Sequence, residues 1–149
     1  MSFSQKAVYA LRATYELALR QGQGPISIPV LAEVQCIPPR FLENILLQLK
    51  QSGILASVRG RDGGYLLAHP ANLVTVGDVL RAVEGPLYPI TCLGGEAQET
   101  CPMRDDCVFL PMWRRAQDAT LAVYDGTSFE DLATKARQNQ EQFVPMYSI

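Results

Sequence analysis

"RFLENILLQLKQSGILASVRGRDGGYLLA", residues 40–68, contains two different hydrophobic periods within one short stretch. Its first half repeats at helical spacing and reaches Gly53, which predicts a helix that ends there. The apolar face of this helix is predicted to comprise Phe41, Leu42, Ile45, Leu46 and Leu49. The second half places the β-prone runs "LASVR" and "GYLLA" on either side of "GRDGG", which predicts a β-hairpin.

The residues upstream of this stretch predict two further helices. In "SQKAVYALRATYELALRQ" the apolar residues at helical spacing are Val8, Leu11, Tyr15, Ala18 and Leu19. "IPVLAEV" is a second, short helix that Ser27 can cap, and Pro29 is tolerated because it lies in the first turn. The break "QCIPP" then separates two short helices, which is typical of a helix-turn-helix. We expect Cys36, within this break, to be a buried structural thiol.

The second half of the chain continues with helices. "TVGDVLRAVEG" predicts a helix that Thr75 caps together with Asp78. "VFLPMWRRAQDATLAVYDG" predicts a longer helix, and "TSFEDLATKARQ" a last one with a capping box of Thr127 and Glu130. The predicted fold is therefore mostly α with a small β-hairpin wing. It divides into a winged helix-turn-helix (1–86), a cysteine-bearing loop (87–107), and a long helix with its tail (108–149).

Composition and charge narrow the class of protein. The chain has 149 residues, the size of one ordinary domain. It contains neither a membrane-length apolar run nor the apolar core of a signal peptide, so we expect a cytoplasmic protein without a membrane partner. Residues 1–70 hold seven Lys/Arg and four Asp/Glu (+3), whereas residues 71–149 hold six and eleven (−5). The N-terminal half can therefore face phosphate. With one histidine, no phosphate loop and no nucleophile elbow, the chain is not expected to be an enzyme.

The first turn of the predicted recognition helix carries three residues suited to reading bases. A helix-turn-helix places this turn in the major groove, where Arg40, Glu43 and Asn44 would meet base edges. Arginine pairs with guanine, asparagine with adenine, and glutamate accepts from cytosine. The alternative is that these are ordinary solvated residues of an amphipathic helix.

The predicted wing and first helix supply further candidate DNA contacts. Arg59 and Arg61 flank Gly60 on a tight turn, from which a guanidinium reaches a minor groove or a phosphate. Lys6 and Tyr9 would add contacts to the DNA backbone. The alternatives are a solvated hairpin tip and, for Tyr9, packing within the protein.

"TCLGGEAQETCPMRDDC", residues 91–107, concentrates Cys92, Cys101 and Cys107 in one glycine-bearing segment. In a reducing compartment such a cluster favours metal binding or redox chemistry over a disulfide framework. Thiolates are the ligands that iron-sulfur clusters use, and a flexible loop lets several converge. Two alternatives stay open: a zinc site, and free thiols or a reversible disulfide switch without a cluster.

Several segments together carry a resemblance to a known family. These are "QKAVYALRATYELAL", "FLENILLQLKQSGILASVRGRDGGYLLA" and "VTVGDVLRAVEGP", followed by three cysteines and a Trp-bearing helix. Over residues 1 to about 137 the chain resembles the Rrf-type bacterial winged-helix transcriptional regulators, whose IscR-like and NsrR-like members carry iron-sulfur clusters. The resemblance implies a DNA-binding regulator or repressor that senses redox, iron or nitric oxide status.

The resemblance also implies a homodimer on a palindromic operator. In the family the long helix after the cysteines crosses its partner, and here that helix carries a stripe of Met112, Ala116, Ala119 and Val123. The alternative for this stripe is packing within one subunit. Glu43 aligns with a family glutamate that selects the DNA sequence, and Arg59 with the wing arginine, whereas Pro38 and Arg40 replace family serines.

The three cysteines align with the family's ligands of a two-iron or four-iron cluster. The C-x5-C interval matches the family, and the C-x8-C interval is three residues longer. The fourth ligand is missing where the family would place it, because Leu110 stands in place of a histidine and Val8 in place of an aspartate. Other candidates are Glu96, Glu99, Asp105, Asp106, a small molecule or an open site. His69 is expected to be a surface residue.

Overall fold

The computed structural model describes residues 2–143, with backbone only at residues 97 and 98. The helices are α1 Gln5–Leu19, α2 Ile28–Gln35, α3 Pro39–Gln51, α4 Val76–Glu84, α5 Glu96–Thr100, α6 Leu110–Asp125 and α7 Phe129–Gln142. The strands are β1 Leu55–Val58 and β2 Gly64–Leu67, and 3₁₀ turns lie at Ala71–Leu73 and Thr91–Leu93. The predicted class, mostly α with a β-hairpin wing, is confirmed.

Helix α1 lies at the centre of the winged helix, in contact with α2, α3, α4 and α7. Its buried face consists largely of small residues: Ala7, Ala10, Ala13, Thr14, Leu17 and Ala18. The predicted face was partly wrong, because Val8 is 40% exposed. A helix surrounded on several sides buries alanines, since small side chains let the neighbouring backbones approach closely.

The helix-turn-helix forms as predicted, but its cysteine does not behave as expected. Cys36 ends α2 in the left-handed conformation, φ 51° and ψ 48°, and its side chain is exposed. The prediction of a buried thiol is therefore wrong. The reversal of chain direction at this residue lets the next one, Ile37, enter the core instead. The amide of Ile37 donates to the carbonyl of Ala32 at 2.9 Å, which closes the turn.

Helix α3 packs through four of its five predicted apolar residues. Leu42, Ile45, Leu46 and Leu49 are buried, whereas Phe41 is 46% exposed, so its assignment to the buried face was wrong. Phe41 lies at the edge of the apolar stripe, on the flank of α3 that faces α1.

The wing is an antiparallel hairpin with Leu55 opposite Leu67 and Val58 opposite Gly64. A third segment joins its base, because Ile26 and Tyr65 exchange two backbone hydrogen bonds of 2.9 and 2.8 Å. Gly64 makes this close approach possible. Its φ is +155°, and a Cβ there would lie 2.2 Å from the carbonyl oxygen of Ile26. The hairpin is therefore fixed to the loop that precedes α2.

The starts of α4 and α7 are joined to each other. Thr75 and Asp78 form the predicted capping box. The second box consists of Ser128 and Asp131, one residue beyond the predicted pair Thr127 and Glu130, which was therefore wrong. The backbone N–H of Ser128 donates to Oδ2 of Asp131 at 2.9 Å, and this hydrogen bond, together with one from the Ser128 side chain, lowers the pKa of Asp131. The two capping residues form an antiparallel bridge, and Phe129, which follows it, is fully buried in the winged-helix core.

Helix α6 is attached to the winged helix through its C-terminal half, where Leu121 and Tyr124 pack against a cluster of Ala7, Leu80 and Leu87. Arg81 on α4 donates to both carboxylate oxygens of Asp125, at 2.7 Å each. This hydrogen bonding lowers the pKa of Asp125 and raises that of Arg81. Gly77 leaves room for the carboxylate, because a Cβ there would lie 1.9 Å from Oδ1 of Asp125. Within the described residues, no helix is both long and apolar enough to cross a bilayer.

Candidate DNA-binding surface and cysteine cavity

The first turn of α3 presents the predicted base-reading residues to solvent. Arg40, Glu43 and Asn44 are all exposed, while the opposite face of the helix is buried. The Arg40 guanidinium lies 4.8 Å from the centroid of the Phe41 ring, a cation–π contact that orients it. The three side chains are thus brought together on one exposed helical face.

The wing and α1 add positive charge to the exposed surface. Arg59 and Arg61 lie in the five-residue hairpin loop, and both are exposed, as is Lys6 at the start of α1. None of the ion pairs found between residues 2 and 143 uses these three cations or Arg40. Their charges are therefore available to a polyanion.

Tyr9 lies at the boundary between this surface and the core. Its ring is half-buried and packs against the core, as its alternative assignment proposed. It also lines a cavity between α1 and α3, together with Lys6 and Asn44. Phe41 lines the same cavity, and sequence analysis missed it as a site residue because it was assigned to the core.

A polar network fixes the helix-turn-helix against α1. Glu16, only 6% exposed, accepts from Arg20 Nε at 2.7 Å and from Gln35 Nε2 at 2.8 Å. Arg12 in turn donates to the backbone carbonyl of Gln35, the last residue of α2. Because Gln35 precedes the turn, this network positions the recognition helix. The four-residue spacing of Arg12, Glu16 and Arg20 was visible in the sequence, but their partner on α2 was not.

The three cysteines of residues 91–107 line one cavity of about 220 Å³ at the start of α6. Cys92 lies in a 3₁₀ turn, Cys101 directly follows α5, and Cys107 precedes α6. All three thiols are half-buried and none forms a disulfide. The lining residues are Ile90, Cys92, Cys101, Arg104, Cys107, Phe109, Leu110 and Trp113.

The arrangement of these three thiols determines which kind of metal site they could form. A single zinc ion bonds sulfur at about 2.3 Å, so its ligands crowd around one point. Among the described residues, no group of three or more Cys, His, Asp or Glu side chains is arranged to hold a metal ion in this way. The three thiols line one cavity without being arranged as a single-ion site of this kind.

The candidates for a fourth ligand do not line this cavity. Glu96, Glu99, Asp105 and Asp106 are exposed to solvent and lie outside the lining. His69 is exposed and lines a different cavity, beside α4. Arg104 instead contributes a positive charge to the cysteine cavity, and guanidinium is a donor without acceptor capacity.

The predicted contact stripe of α6 is uncovered. Met112, Ala116, Ala119 and Val123 are all exposed, and α6 buries no residue within this chain. The alternative of packing within one subunit is therefore not what the structure shows. An apolar stripe of this kind on a 16-residue helix is suited to a partner surface.

A recognition helix with exposed polar residues, followed directly by a basic wing, defines a winged-helix DNA-binding protein. The chain belongs to the Rrf2 family, described as "Iron-dependent Transcriptional regulator", which matches residues 3–135. Transcriptional regulators of this family bind DNA, and they are not enzymes.

Two named regulators illustrate the family relationship. The chain is 33% identical over 144 residues to CymR of Bacillus subtilis, covering 97% of this chain and 98% of that protein. The solved structure of that "Global Cysteine Regulator" matches with a TM-score of 0.75 and 32% identity, over 91% of this chain and 98% of CymR. IscR of Pectobacterium atrosepticum is 33% identical over 132 residues, 89% of this chain and 79% of IscR. The structure of T. potens IscR matches with a TM-score of 0.75 and 28% identity, over 94% and 91% of the two chains.

Proposed function

We propose that this transcriptional regulator is a homodimer that senses redox, iron or nitric oxide status through an iron-sulfur cluster held by Cys92, Cys101 and Cys107. The observation that carries the proposal is the common cavity that these thiols line. Its size and largely apolar walls fit a group of several atoms. A bound cluster would supply redox chemistry and sensitivity to small oxidants.

The cavity is connected to the winged helix by rigid elements. Cys107 lies three residues before the start of α6, and the other end of α6 is held to α4 by the bidentate pair of Arg81 with Asp125. A change at the thiols would therefore alter how α6 begins, and the ion pair would transmit that change to α4. Loss of the cluster would shift the population between conformations that differ in DNA affinity.

The proposed DNA-binding surface combines the recognition helix, the wing and the start of α1. Arg40, Glu43 and Asn44 would read bases in the major groove. The remaining contacts are proposed for Arg59, Arg61, Lys6 and Tyr9. The exposed stripe of α6 would pair with its copy in a second subunit, so that two recognition surfaces meet the half-sites of a palindromic operator.

Anaerobic purification of the full chain tests the cluster. We expect brown protein with iron and sulfide in matching amounts, and quenched fluorescence of Trp113, the single tryptophan, because it lines the cysteine cavity. Cys101→Ser should lose iron and recover fluorescence. Cys36→Ser is the matched control, since Cys36 lies outside the cavity, and should keep both properties. Colourless protein with stoichiometric zinc would refute the proposal.

A cluster-free thiol switch, or a zinc site, is the second candidate. The similarity to CymR, the "Global Cysteine Regulator" of B. subtilis, favours the thiol switch. Mass spectrometry after alkylation distinguishes the thiol switch from the cluster. A switch predicts a disulfide among these cysteines after mild oxidation and no bound iron before it.

Salt titration tests the DNA-binding surface. Arg59→Ala should weaken binding and reduce the slope of log affinity against log salt by about 1, because one phosphate contact is lost. Lys135→Ala removes a charge from exposed α7 and should leave the slope unchanged. Equal slopes for Arg59→Ala and the wild type would contradict the wing assignment.

A further inference from the structure

A cavity of about 440 Å³ lies between α1 and α3, beside the recognition helix. Its volume is within the usual range for small-molecule sites. It shares no lining residue with the cysteine cavity, so the proposed sensor does not account for it. Its lining residues are Gln5, Lys6, Tyr9, Phe41, Asn44 and Ile45.

The walls of this α1–α3 cavity are mainly apolar. Ile45, which is 2% exposed, belongs to the buried face of α3, and Tyr9 packs against the core. Phe41 leaves nearly half of its surface uncovered by the chain. Two aromatic side chains beside a buried aliphatic one provide surfaces on which a planar ring can stack.

The charge at this cavity has one sign. Lys6 is exposed, it takes part in none of the ion pairs found in the described part of the chain, and no carboxylate is among the lining residues. The guanidinium of Arg40 adds a second positive charge against the Phe41 ring. The amides of Gln5 and Asn44 supply hydrogen-bond donors. A planar apolar group with one negative charge is complementary to this combination.

We propose that the α1–α3 cavity binds a small aromatic carboxylate, with its ring against Phe41 and Tyr9 and its carboxylate toward Lys6. This ligand would compete with DNA, because Lys6, Tyr9 and Asn44 are proposed DNA contacts. The competition rests on the proposed function, whereas binding of the carboxylate does not. The site would give the regulator a second input, separate from its thiols.

Two probes that share a ring and differ in charge test the site: 1-naphthoate and neutral 1-naphthamide, each titrated into the full chain and followed by amide NMR shifts. Naphthoate should shift the amides of residues 5–9 and 41–45. Lys6→Gln should weaken naphthoate about fivefold, the scale of a partly exposed ion pair, and leave naphthamide unchanged. Phe41→Ala should weaken both probes. Lys50→Gln, at the other end of α3, is the control and should change neither.

Competition is measured by repeating the naphthoate titration on protein saturated with operator duplex. Loss of the shifts in residues 5–9 and 41–45 supports competition, and undiminished binding overturns it. If the protein binds no duplex, the proposed DNA-binding function fails while naphthoate binding stands. Shifts confined to other surfaces, such as the α6 stripe, or equal effects of Lys6→Gln on both probes, overturn the site itself.

Discussion

Replacement of Cys36 by glycine is expected to stabilise the protein. An L-residue in the left-handed helical conformation costs about 1–2 kcal/mol relative to glycine. Glycine recovers this cost but gains freedom in the unfolded chain, which opposes folding by about 0.4–1 kcal/mol. The thiol itself contributes little, because it is exposed and donates only a long, 3.7 Å hydrogen bond to the carbonyl oxygen of Glu33. The balance for Cys36→Gly lies between about 0 and 1.6 kcal/mol, which gives a central expectation of a gain of about 0.8 kcal/mol.

Urea denaturation at a fixed protein concentration measures this difference, since the stability of the proposed dimer would depend on concentration. The midpoint should rise for Cys36→Gly with no change in slope. Cys36→Ala is the matched control: it also removes the thiol but keeps a Cβ in the left-handed conformation, so its stability should stay within about 0.5 kcal/mol of wild type. If the glycine variant were no more stable than the alanine variant, the left-handed backbone at residue 36 would carry no free-energy cost for a residue with a Cβ, and the prediction would be refuted.

Three further predictions concern the wing, the α4–α6 junction and the exposed stripe. Gly64→Ala should destabilise the protein by at least about 2 kcal/mol, because the new Cβ collides with the Ile26 carbonyl; hydrogen exchange should show faster opening at Tyr65. The Arg81–Asp125 pair is about 40% exposed, so Arg81→Gln should cost only about 0.2–1 kcal/mol. Arg81 lowers the pKa of Asp125, so the ion pair's contribution to folding stability should be present above pH about 3.8 and disappear as the pH falls through the lowered pKa of the folded state. If Arg81→Gln and the wild type showed the same dependence of stability on pH in acid, this prediction would be wrong. Ala119→Glu should convert a dimer to monomer in sedimentation, with unchanged helical circular dichroism.

Hydrophobic periodicity located the wing and the described helices other than α5, a five-residue helix within the predicted cysteine-bearing loop, but it misjudged which residues the elements bury. In α1, Val8 and its bulky neighbours indicated the apolar face, yet the closest packing is made by alanines. Alanine contributes little to an amphipathic pattern, and its value in a crowded core depends on how many helices surround it. Phe41 was assigned to the buried face for a similar reason. It lies at the edge of the α3 apolar stripe, and the burial of such an edge residue depends on where α1 packs.

The candidate site was predictable where one segment carries it. The recognition turn, the wing arginines and the three cysteines each lie in short stretches with their own chemistry. The Glu16–Gln35 contact and the α1–α3 cavity depend instead on how separate helices meet, which local patterns do not encode. Adjacent hydroxyl residues also made the start of α7 ambiguous: Thr127 and Ser128 are each followed three residues later by an acidic residue, and the bridge to Thr75 selects Ser128.

The burial of Phe129 also bears on the order in which a newly made chain can fold. The core of the winged helix lies almost wholly before residue 86, but it also includes Phe129 of α7, and Leu132 packs against it. During synthesis from the N-terminus, this core stays incomplete until the cysteine segment and α6 have left the ribosome. A nascent chain would thus lack a finished DNA-binding fold until the segments that we propose to control it had been synthesised.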